Sequence, residues 1–206
     1  MTIVDSLVDT IGGRSEEHLA MRFAELLNLE ARALSEAGAA VIQFDEPCFN
    51  VYVDKVRDWG IATLERAAEG VTAKTGVHIC YGYGTPDVKR WKSANRDWSH
   101  YDHTLPLLGK SSIGQVSVET AASGVDVAVI EALRGKDVLL GVVDVGSETV
   151  ETPETVAEQL HRALRYSDPE HLYACTDCGM LPLSRRAAEG KLRALAAGAA
   201  LVNATL

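Results

Sequence analysis

The stretch Val77-His78-Ile79-Cys80-Tyr81 is the part of the sequence that most directly predicts the fold and its chemistry. Its β-branched and aromatic residues favour extended structure, so we expect a short strand here. Successive side chains of a strand alternate between its two sides, which makes His78 and Cys80 project together. An imidazole nitrogen beside a sulfur suits a soft divalent metal, zinc above all. A His and a Cys that simply belong to the core remain the alternative.

The composition is that of an ordinary globular protein. The chain has 206 residues, of which 47% are hydrophobic and 24% charged, enough for one sizeable core. Its net charge of -9 argues against a nucleic-acid or anionic-membrane surface. No apolar run reaches the roughly 18–20 residues of a membrane span, and the first residues lack the features of a signal peptide. We therefore expect a cytoplasmic protein whose four cysteines are reduced: Cys48, Cys80, Cys175 and Cys178.

Continuous apolar runs alternate along the chain with segments of helical periodicity, which is typical of a parallel sheet covered by helices. We count six βα units, starting near residues 2, 39, 76, 114, 138 and 171. Reactive residues follow the predicted strands at their C-terminal ends: Asp45, Glu46, His78, Cys80, Glu119, Asp144 and Cys178. This pattern predicts a TIM (β/α)8-type barrel with its active site at that end. A doubly wound sheet is less consistent, because no Gly-rich phosphate fingerprint follows the first strand.

Two helices have clear start signals. Ser15 is expected to cap one of them, and Thr152 with Pro153 opens another. We predict that the first of these helices buries one apolar face, made of Leu19, Phe23, Leu26, Leu27 and Leu34. Residues 1–206 are thus interpreted as a single barrel domain that holds about six of eight βα units.

Two further residues can join His78 and Cys80 in a metal site. Glu119 ends the next predicted strand, and Cys178 follows the last one in Asp177-Cys178-Gly179. Zinc takes about four such ligands, so we expect His78, Cys80, Glu119 and Cys178 to converge. Each of these residues also has another interpretation. Glu119 can pair with a basic residue. Likewise, the Cys175-x-x-Cys178 pair can be half of a structural zinc site or a redox dithiol.

Four motifs in this order resemble the C-terminal catalytic barrel of cobalamin-independent methionine synthases. They are Ile42-Gln43-Phe44-Asp45-Glu46-Pro47, His78-Ile79-Cys80-Tyr81, Ser117-Val118-Glu119-Thr120 and Asp177-Cys178-Gly179, and the similarity runs from about Met1 to Arg185. The resemblance implies zinc held by His78, Cys80, Glu119 and Cys178, and methyl transfer to the homocysteine thiol to give methionine. It also implies that Asp45 binds the substrate's amino group and that Glu119 belongs to the substrate site.

The sequence departs from the family pattern in ways that bear on the methyl donor. When the four motifs are aligned with the family pattern, Met1 falls at the third barrel strand, so the resemblance implies a barrel that lacks its first two βα units. Gly146 stands where the family has a His thought to protonate the departing folate, and Val51 replaces a folate-contacting Glu. Zinc and thiol residues are kept while folate residues are lost, as in short core-only methionine synthases. This implies another donor, such as a methylated corrinoid protein. Asp144, in the same motif as Gly146, is our candidate catalytic residue.

The segment Gly82–Ser99 is basic and aromatic in an otherwise acidic protein. We predict that it helps to bind the methyl donor or its carrier through Lys89, Arg90, Trp91 and Trp98. The alternative is a solvated loop whose two Trp rings pack on the barrel.

Three functions remain open at this point. The first is zinc-dependent methyl transfer to homocysteine. The second is zinc-dependent alkyl transfer to another thiol such as coenzyme M. The third is a non-catalytic barrel fragment or assembly subunit. An incomplete barrel also predicts self-association, or a partner chain that completes it, because open sheet edges and uncovered core favour association.

Overall fold

A computed structural model describes residues 1–8, 12–83, 90, 92, 94 and 97–206 of the chain. Its centre is a parallel five-stranded sheet in which the strands lie side by side in chain order. The strands are β1 Val41–Asp45, β2 Lys74–Ile79, β3 Gln115–Glu119, β4 Asp137–Gly141 and β5 Leu172–Cys175. Parallel neighbours in chain order, joined through helical segments, are the arrangement of a (β/α) barrel wall. The predicted α/β class is confirmed.

The described residues also form α-helices before, between and after these strands. They are α1 Thr2–Asp5, α2 Glu16–Glu36, α3 Val53–Lys55, α4 Ile61–Ala68, α5 His100–Lys110, α6 Pro153–Ala163 and α7 Arg185–Asn203. A π-helical turn, Val56–Gly60, joins α3 to α4, and 3-10 turns occupy Pro47–Asn50, Val127–Leu133 and Pro169–His171. The predicted caps are confirmed, because the Ser15 and Thr152 side chains accept hydrogen bonds from backbone N–H groups of their helices. In this part of the chain, no helix has both the length and the apolar character needed to cross a membrane.

The sheet buries one of its faces against the helices, most deeply at the central strands. Alternate residues of the central strands point towards the helices and are almost inaccessible, among them Val77, Ile79, Val116, Val118 and Leu140. They pack with buried leucines and isoleucines of the surrounding helical segments in one core cluster. Because side chains alternate, the residues between them face the opposite side of the sheet. His78, Ser117 and Glu119 therefore lie together on that other side.

The first predicted strand is wrong, and the expectation of six βα units becomes five strands in the described residues. Residues 2–5 form the short helix α1. The Glu46 carboxylate accepts hydrogen bonds from the Thr2 N–H at 2.8 Å and the Thr2 hydroxyl at 2.6 Å. A carboxylate that satisfies free donors at a helix start favours helical geometry. The β-prone sequence of this run is therefore overridden by a tertiary contact.

The predicted buried face of α2 is only partly right, because Leu19 and Phe23 are half-buried and the other three residues are exposed. The helix buries Ala20, Ala24, Asn28 and Ala31, whereas Leu26 and Leu34 are exposed. Small side chains let α2 approach α4 closely, and Asn28 donates hydrogen bonds to the carbonyls of Ala67, in α4, and Glu69. Periodicity located the helix but not the side that packs, because leucines occur on both sides.

Candidate metal centre

Three predicted metal ligands meet at the C-terminal edge of the sheet. One potential ligand atom from each of His78, Cys80 and Cys178 lies within 4.8 Å of the others. His78 belongs to β2, Cys80 is the first residue after that strand, and Cys178 comes three residues after the end of β5. Strands β2 and β5 are separated by two others in the sheet. The curvature of the sheet therefore brings together side chains that are about a hundred residues apart.

The orientation of His78 suits metal binding. Its Nδ1 atom lies 2.9 Å from the Ser117 hydroxyl, which fixes the ring. Its Nε2 atom is buried and makes no hydrogen bond to any described residue. A buried ring nitrogen without a partner is costly, and metal-bound histidines are commonly held through their other nitrogen. Ser117 was not among the predicted site residues, although it lies two positions before Glu119 and so on the same side of the strand.

The two sulfurs of the group interact directly. Cys80 Sγ lies 3.9 Å from Cys178 Sγ, and all four cysteines are free. Cys80 and then His78 lower the pKa of Cys178, and the same sulfur–sulfur contact together with burial raises the pKa of Cys80. Burial lowers the pKa of His78, but the nearby Cys178 outweighs this and raises it. One sulfur is thus poised as a thiolate and the other as a thiol, which a bound metal would deprotonate.

Cys175 lies outside this group. Burial raises its pKa to about 12, which keeps it a thiol. Cys178 is paired with Cys80 across the sheet, so the local Cys175-x-x-Cys178 spacing does not describe the arrangement of the sulfurs.

Glu119 lies beside the three ligands but is not grouped with them. It ends β3 and is fully buried. Its Oε2 atom accepts a hydrogen bond from the Tyr81 N–H at 3.0 Å, and its Oε1 atom forms an ion pair with Lys92 Nζ at 2.6 Å. Burial raises the pKa of Glu119, although the charge of Lys92 opposes that rise. Lys92 lies in the segment Gly82–Ser99 but was not among the predicted site residues.

Asp177 ties the loops around the group together. This fully buried carboxylate accepts hydrogen bonds from the N–H groups of Thr120, Ala121 and Ala122 at 2.7–3.0 Å. It also accepts one from the Tyr83 hydroxyl at 3.1 Å. The loops after β2, β3 and β5 therefore share one anchor next to Cys178. In the sequence, Asp177 is recognisable only as part of the motif Asp177-Cys178-Gly179.

The predicted substrate and catalytic residues lie at the same edge. Asp45 ends β1 in register with His78 and is exposed. Asp144 lies three residues past β4, where its carboxylate accepts the Gly146 N–H at 2.7 Å. The Asp144 N–H donates to Glu151, which the buried Lys191 holds by an ion pair at 2.9 Å. Both carboxylates thus lie at the C-terminal edge of the sheet, outside the group formed by His78, Cys80 and Cys178.

Half of the predicted donor-binding residues can be located. Lys89 and Trp91 lie outside the described residues. Arg90 is exposed, and Trp98 is partly buried with its ring edge-on to Tyr81 at 4.7 Å between centroids. The position of Trp98 therefore agrees with the alternative in which its ring packs on the barrel, while a role in donor binding stays a prediction.

The donor set fits zinc. Two sulfurs, an imidazole nitrogen and a neighbouring carboxylate are the ligand types that zinc prefers, and the unpaired Nε2 of His78 faces a position that a metal can fill. A soft-metal site at the C-terminal edge of a parallel barrel wall is the class of site that the fold and these residues define.

Comparison with known proteins identifies the family. Residues 6–200 match the family model described as "Cobalamin-independent synthase, Catalytic domain", and the chain belongs to this family. The structure of a B12-independent methionine synthase from a Shewanella strain, in complex with selenomethionine, superposes with a TM-score of 0.94 at 48% identity. That match covers 100% of this chain and 60% of the other, which confirms the barrel fold.

Curated relatives agree with this assignment. The methionine synthase of Sulfurisphaera tokodaii is 29% identical over 193 residues, covering 94% of this chain and 52% of the relative. That of Thermococcus kodakarensis is 32% identical over 193 residues, covering 93% of this chain and 52% of the relative. The chain thus spans about half the length of the curated relatives that it matches.

Proposed function

We propose that this chain carries the zinc- and thiol-binding part of a methyltransferase that makes methionine from homocysteine. The observation that carries the proposal is the convergence of His78, Cys80 and Cys178 within 4.8 Å at the active-site edge of a barrel wall. Membership of the cobalamin-independent synthase family supports it. So does the selenomethionine complex of the Shewanella relative, since selenomethionine is a close chemical analogue of the expected product.

His78, Cys80 and Cys178 would hold the zinc ion, with Glu119 as the fourth, nearby donor. When bound, zinc supplies a Lewis acid that keeps the substrate's sulfur deprotonated and nucleophilic. Ser117 fixes the His78 ring, and Asp177 fixes the loop that presents Cys178. The low pKa of Cys178 favours its thiolate form, which is the form that binds metal.

Asp45 and Asp144 would orient the amino acid. Both are carboxylates at the rim of the site, and a substrate ammonium group is a natural partner for either. Asp45 is accessible and lies beside His78 in the sheet register. Asp144 is held by Gly146 and Glu151, so it offers a fixed rather than a flexible carboxylate.

The methyl donor is proposed to differ from methyltetrahydrofolate. The two positions that the resemblance assigns to folate chemistry are occupied by Gly146 and Val51, neither of which can transfer a proton or accept a hydrogen bond through its side chain. A methylated corrinoid carried by another protein is our favoured donor, with Arg90 and its neighbours in the segment Gly82–Ser99 as the candidate contact region.

Metal analysis of the purified chain tests the basis of this proposal. Under reducing conditions we expect about one zinc ion per chain in the wild type and a strong loss in Cys80→Ser. Cys48→Ser is the matched control, because Cys48 lies near Thr2 and Asp5 rather than in the group. A wild-type chain that holds no zinc would contradict the proposed site.

An acceptor and donor panel tests the reaction itself. We expect methyl transfer from methylcobalamin to homocysteine to exceed transfer from methyltetrahydrofolate. Coenzyme M should be a poor acceptor, because it lacks the amino group that Asp45 and Asp144 would bind. Preferential alkylation of coenzyme M would instead support the second enzymatic reading.

A non-catalytic fragment or assembly subunit remains the second candidate function. This function is favoured by the unpaired edges of the five-stranded sheet in the described residues. It is also favoured because the chain spans only about half the length of the curated relatives. Measuring the solution mass and the methyl-transfer activity of the same sample separates the two, since an associated chain with zinc but no activity would support the assembly role.

A further inference from the structure

Lys191 is a fully buried lysine of α7 to which the proposed function assigns no role. Its Nζ atom donates a hydrogen bond to the Thr149 carbonyl and, at 2.9 Å, to each carboxylate oxygen of Glu151. Glu151 is itself largely buried, with 15% of its side chain exposed. Burying both charges costs desolvation energy, so such a pair is weak evidence for a purely stabilising role. Its contacts point to a second role.

Helix α7 also meets the loop that follows β4 at two other points. At the start of the helix, the Ser184 N–H and hydroxyl donate to Glu148 at 2.8 and 2.6 Å. One residue before Lys191, a Cβ built on Gly190 would lie 2.9 Å from Val150 Cγ2, so a larger residue would force the helix and the loop apart. The position of α7 therefore fixes the second half of this loop.

Glu151 connects this fixed half of the loop to Asp144 in its first half. The oxygen Oε1 that Lys191 binds also accepts the Asp144 N–H at 3.1 Å. The Asp144 carboxylate in turn accepts the Gly146 N–H at 2.7 Å. Without Lys191, Glu151 would be an unpaired carboxylate in a largely buried position. Turning it towards water would release the Asp144 N–H.

Asp144 lies close to the residues that surround Cys178. A Cβ built on Gly146 would lie 3.1 Å from Asp144 Oδ1 and 3.2 Å from Cε1 of the Tyr83 ring, so Gly146 lies between these two side chains. The Tyr83 hydroxyl donates to Asp177, the residue before Cys178. A shift of the loop would therefore move the Asp144 carboxylate relative to this part of the site.

We propose that Lys191 is a positioning residue for the amino-acid substrate: through Glu151 it sets the place of the Asp144 carboxylate, which receives the substrate's ammonium group. The inference rests on the proposed function and deepens it, because it assigns a residue of the last helix to substrate binding. In this role Lys191 contacts neither the substrate nor the metal and acts only through the loop.

The double substitution Lys191→Met/Glu151→Leu separates positioning from stability. It replaces the buried ion pair by apolar side chains of similar size, an exchange that is often neutral or stabilising, so we expect no loss in urea unfolding. The Asp144 N–H nevertheless loses its acceptor. In calorimetric titrations, we expect the zinc-loaded double variant to bind L-methionine about tenfold more weakly than the zinc-loaded wild type does.

A ligand without the amino group shows whether the loss arises at Asp144. The des-amino analogue of methionine keeps the thioether and the carboxylate, so the double variant and the wild type should bind it equally. In an Asp144→Asn background, adding the double substitution should weaken methionine binding by less than about twofold. Equal weakening for both ligands would overturn the inference, because the whole site would then be distorted.

Zinc affinity, measured by competition with a chromophoric chelator, supplies a second readout. It should stay within about threefold of the wild type in the double variant, since the loop after β4 carries none of the three grouped ligands. The matched control, Arg134→Met/Glu131→Leu, makes the same exchange in an exposed ion pair before β4. This control should bind methionine as the wild type does.

Gly190→Ala moves the same loop without removing the ion pair, because the added methyl group meets Val150. It should give the same selective loss of methionine affinity, and it decides the matter if the double variant does not fold. Methionine binding at wild-type affinity in the folded double variant, or in Gly190→Ala if the double variant does not fold, overturns the inference alone. A zinc-loaded wild type that does not bind methionine overturns the proposed function as well.

Discussion

At the scale of single residues, Asp177 decides how the loops around the metal group meet. Its carboxylate is fully buried and accepts three backbone N–H groups and one hydroxyl. Asp177→Asn would place an amide NH2 against donors and leave some of them unpaired. We expect a loss of about 2–3 kcal/mol in the free energy of unfolding, measured with urea. The exposed Asp168 supplies the control Asp168→Asn, which should change stability by less than about 0.5 kcal/mol. Equal effects of the two variants would contradict the anchoring role.

Ser117 has a narrower role at the same scale, because its hydroxyl contacts His78, one of the proposed metal ligands. Ser117→Ala removes the partner of Nδ1 and lets the ring rotate. We expect zinc affinity to fall about tenfold in the chelator competition while the stability of the metal-free chain changes little. The exposed Ser112 provides the matched control, Ser112→Ala, with wild-type zinc affinity. A variant at Ser117 with undiminished affinity would show that His78 is oriented by packing alone.

At the scale of elements, a second ionic cluster joins strands at the opposite end of the sheet from the metal group. Asp137, the buried first residue of β4, binds Lys74 of β2 and lies 2.8 Å from His171 Nδ1, just before β5. Burial alone would raise the pKa of Asp137, but the hydrogen bonds from Lys74 and His171 lower it overall. The cluster therefore links three strands through one carboxylate that is ionised in the folded protein.

The pH dependence of stability follows from the direction of this shift. Because the pKa of Asp137 is lower in the folded state than its usual 3.8, its stabilisation is complete at neutral pH and is lost as the pH falls through the folded value. We expect Asp137→Asn to lower the free energy of unfolding by about 1–2 kcal/mol at pH 7. Denaturant unfolding at a series of pH values should show the difference shrinking below about pH 4. A difference that grows on acidification would contradict the assignment.

At the scale of the whole molecule, the sheet that the described residues form has two unpaired edges. Strands β1 and β5 are the outer strands, and the described residues supply five strands where a closed barrel has eight. Val41 in β1 and Tyr173 in β5 are each 45% exposed on the side that a closed barrel would bury. Open edges beside uncovered apolar side chains favour association, either with another copy or with a segment like the additional length of the relatives.

Concentration-dependent association is the corresponding prediction. We expect light scattering to show a mean mass that rises as the chain concentration increases from about 1 to about 100 μM. The substitution Val41→Lys should reduce this rise, because it places a charge on the edge strand. Leu201→Lys is the control, because Leu201 is equally exposed but lies on α7, away from the sheet edge. A monodisperse monomer across this range would rule out self-association of the chain.

Local sequence determined much of this protein. The positions of the five strands, the caps at Ser15 and Thr152, and the ligand types at His78, Cys80 and Cys178 follow from alternation, capping chemistry and motif order. These properties depend on residues close together in the chain, so they can be read without knowing the fold. Membership of the cobalamin-independent synthase family follows from the same motifs.

Only the tertiary structure decided which contacts are made between distant segments. It turned the β-prone start into a helix because Glu46 binds Thr2, and it packed α2 through alanines rather than leucines. It also paired Glu119 with Lys92 and anchored three loops on Asp177. Such partners are separated by tens of residues, and the energies that select them arise only when burial removes water from charged and polar groups.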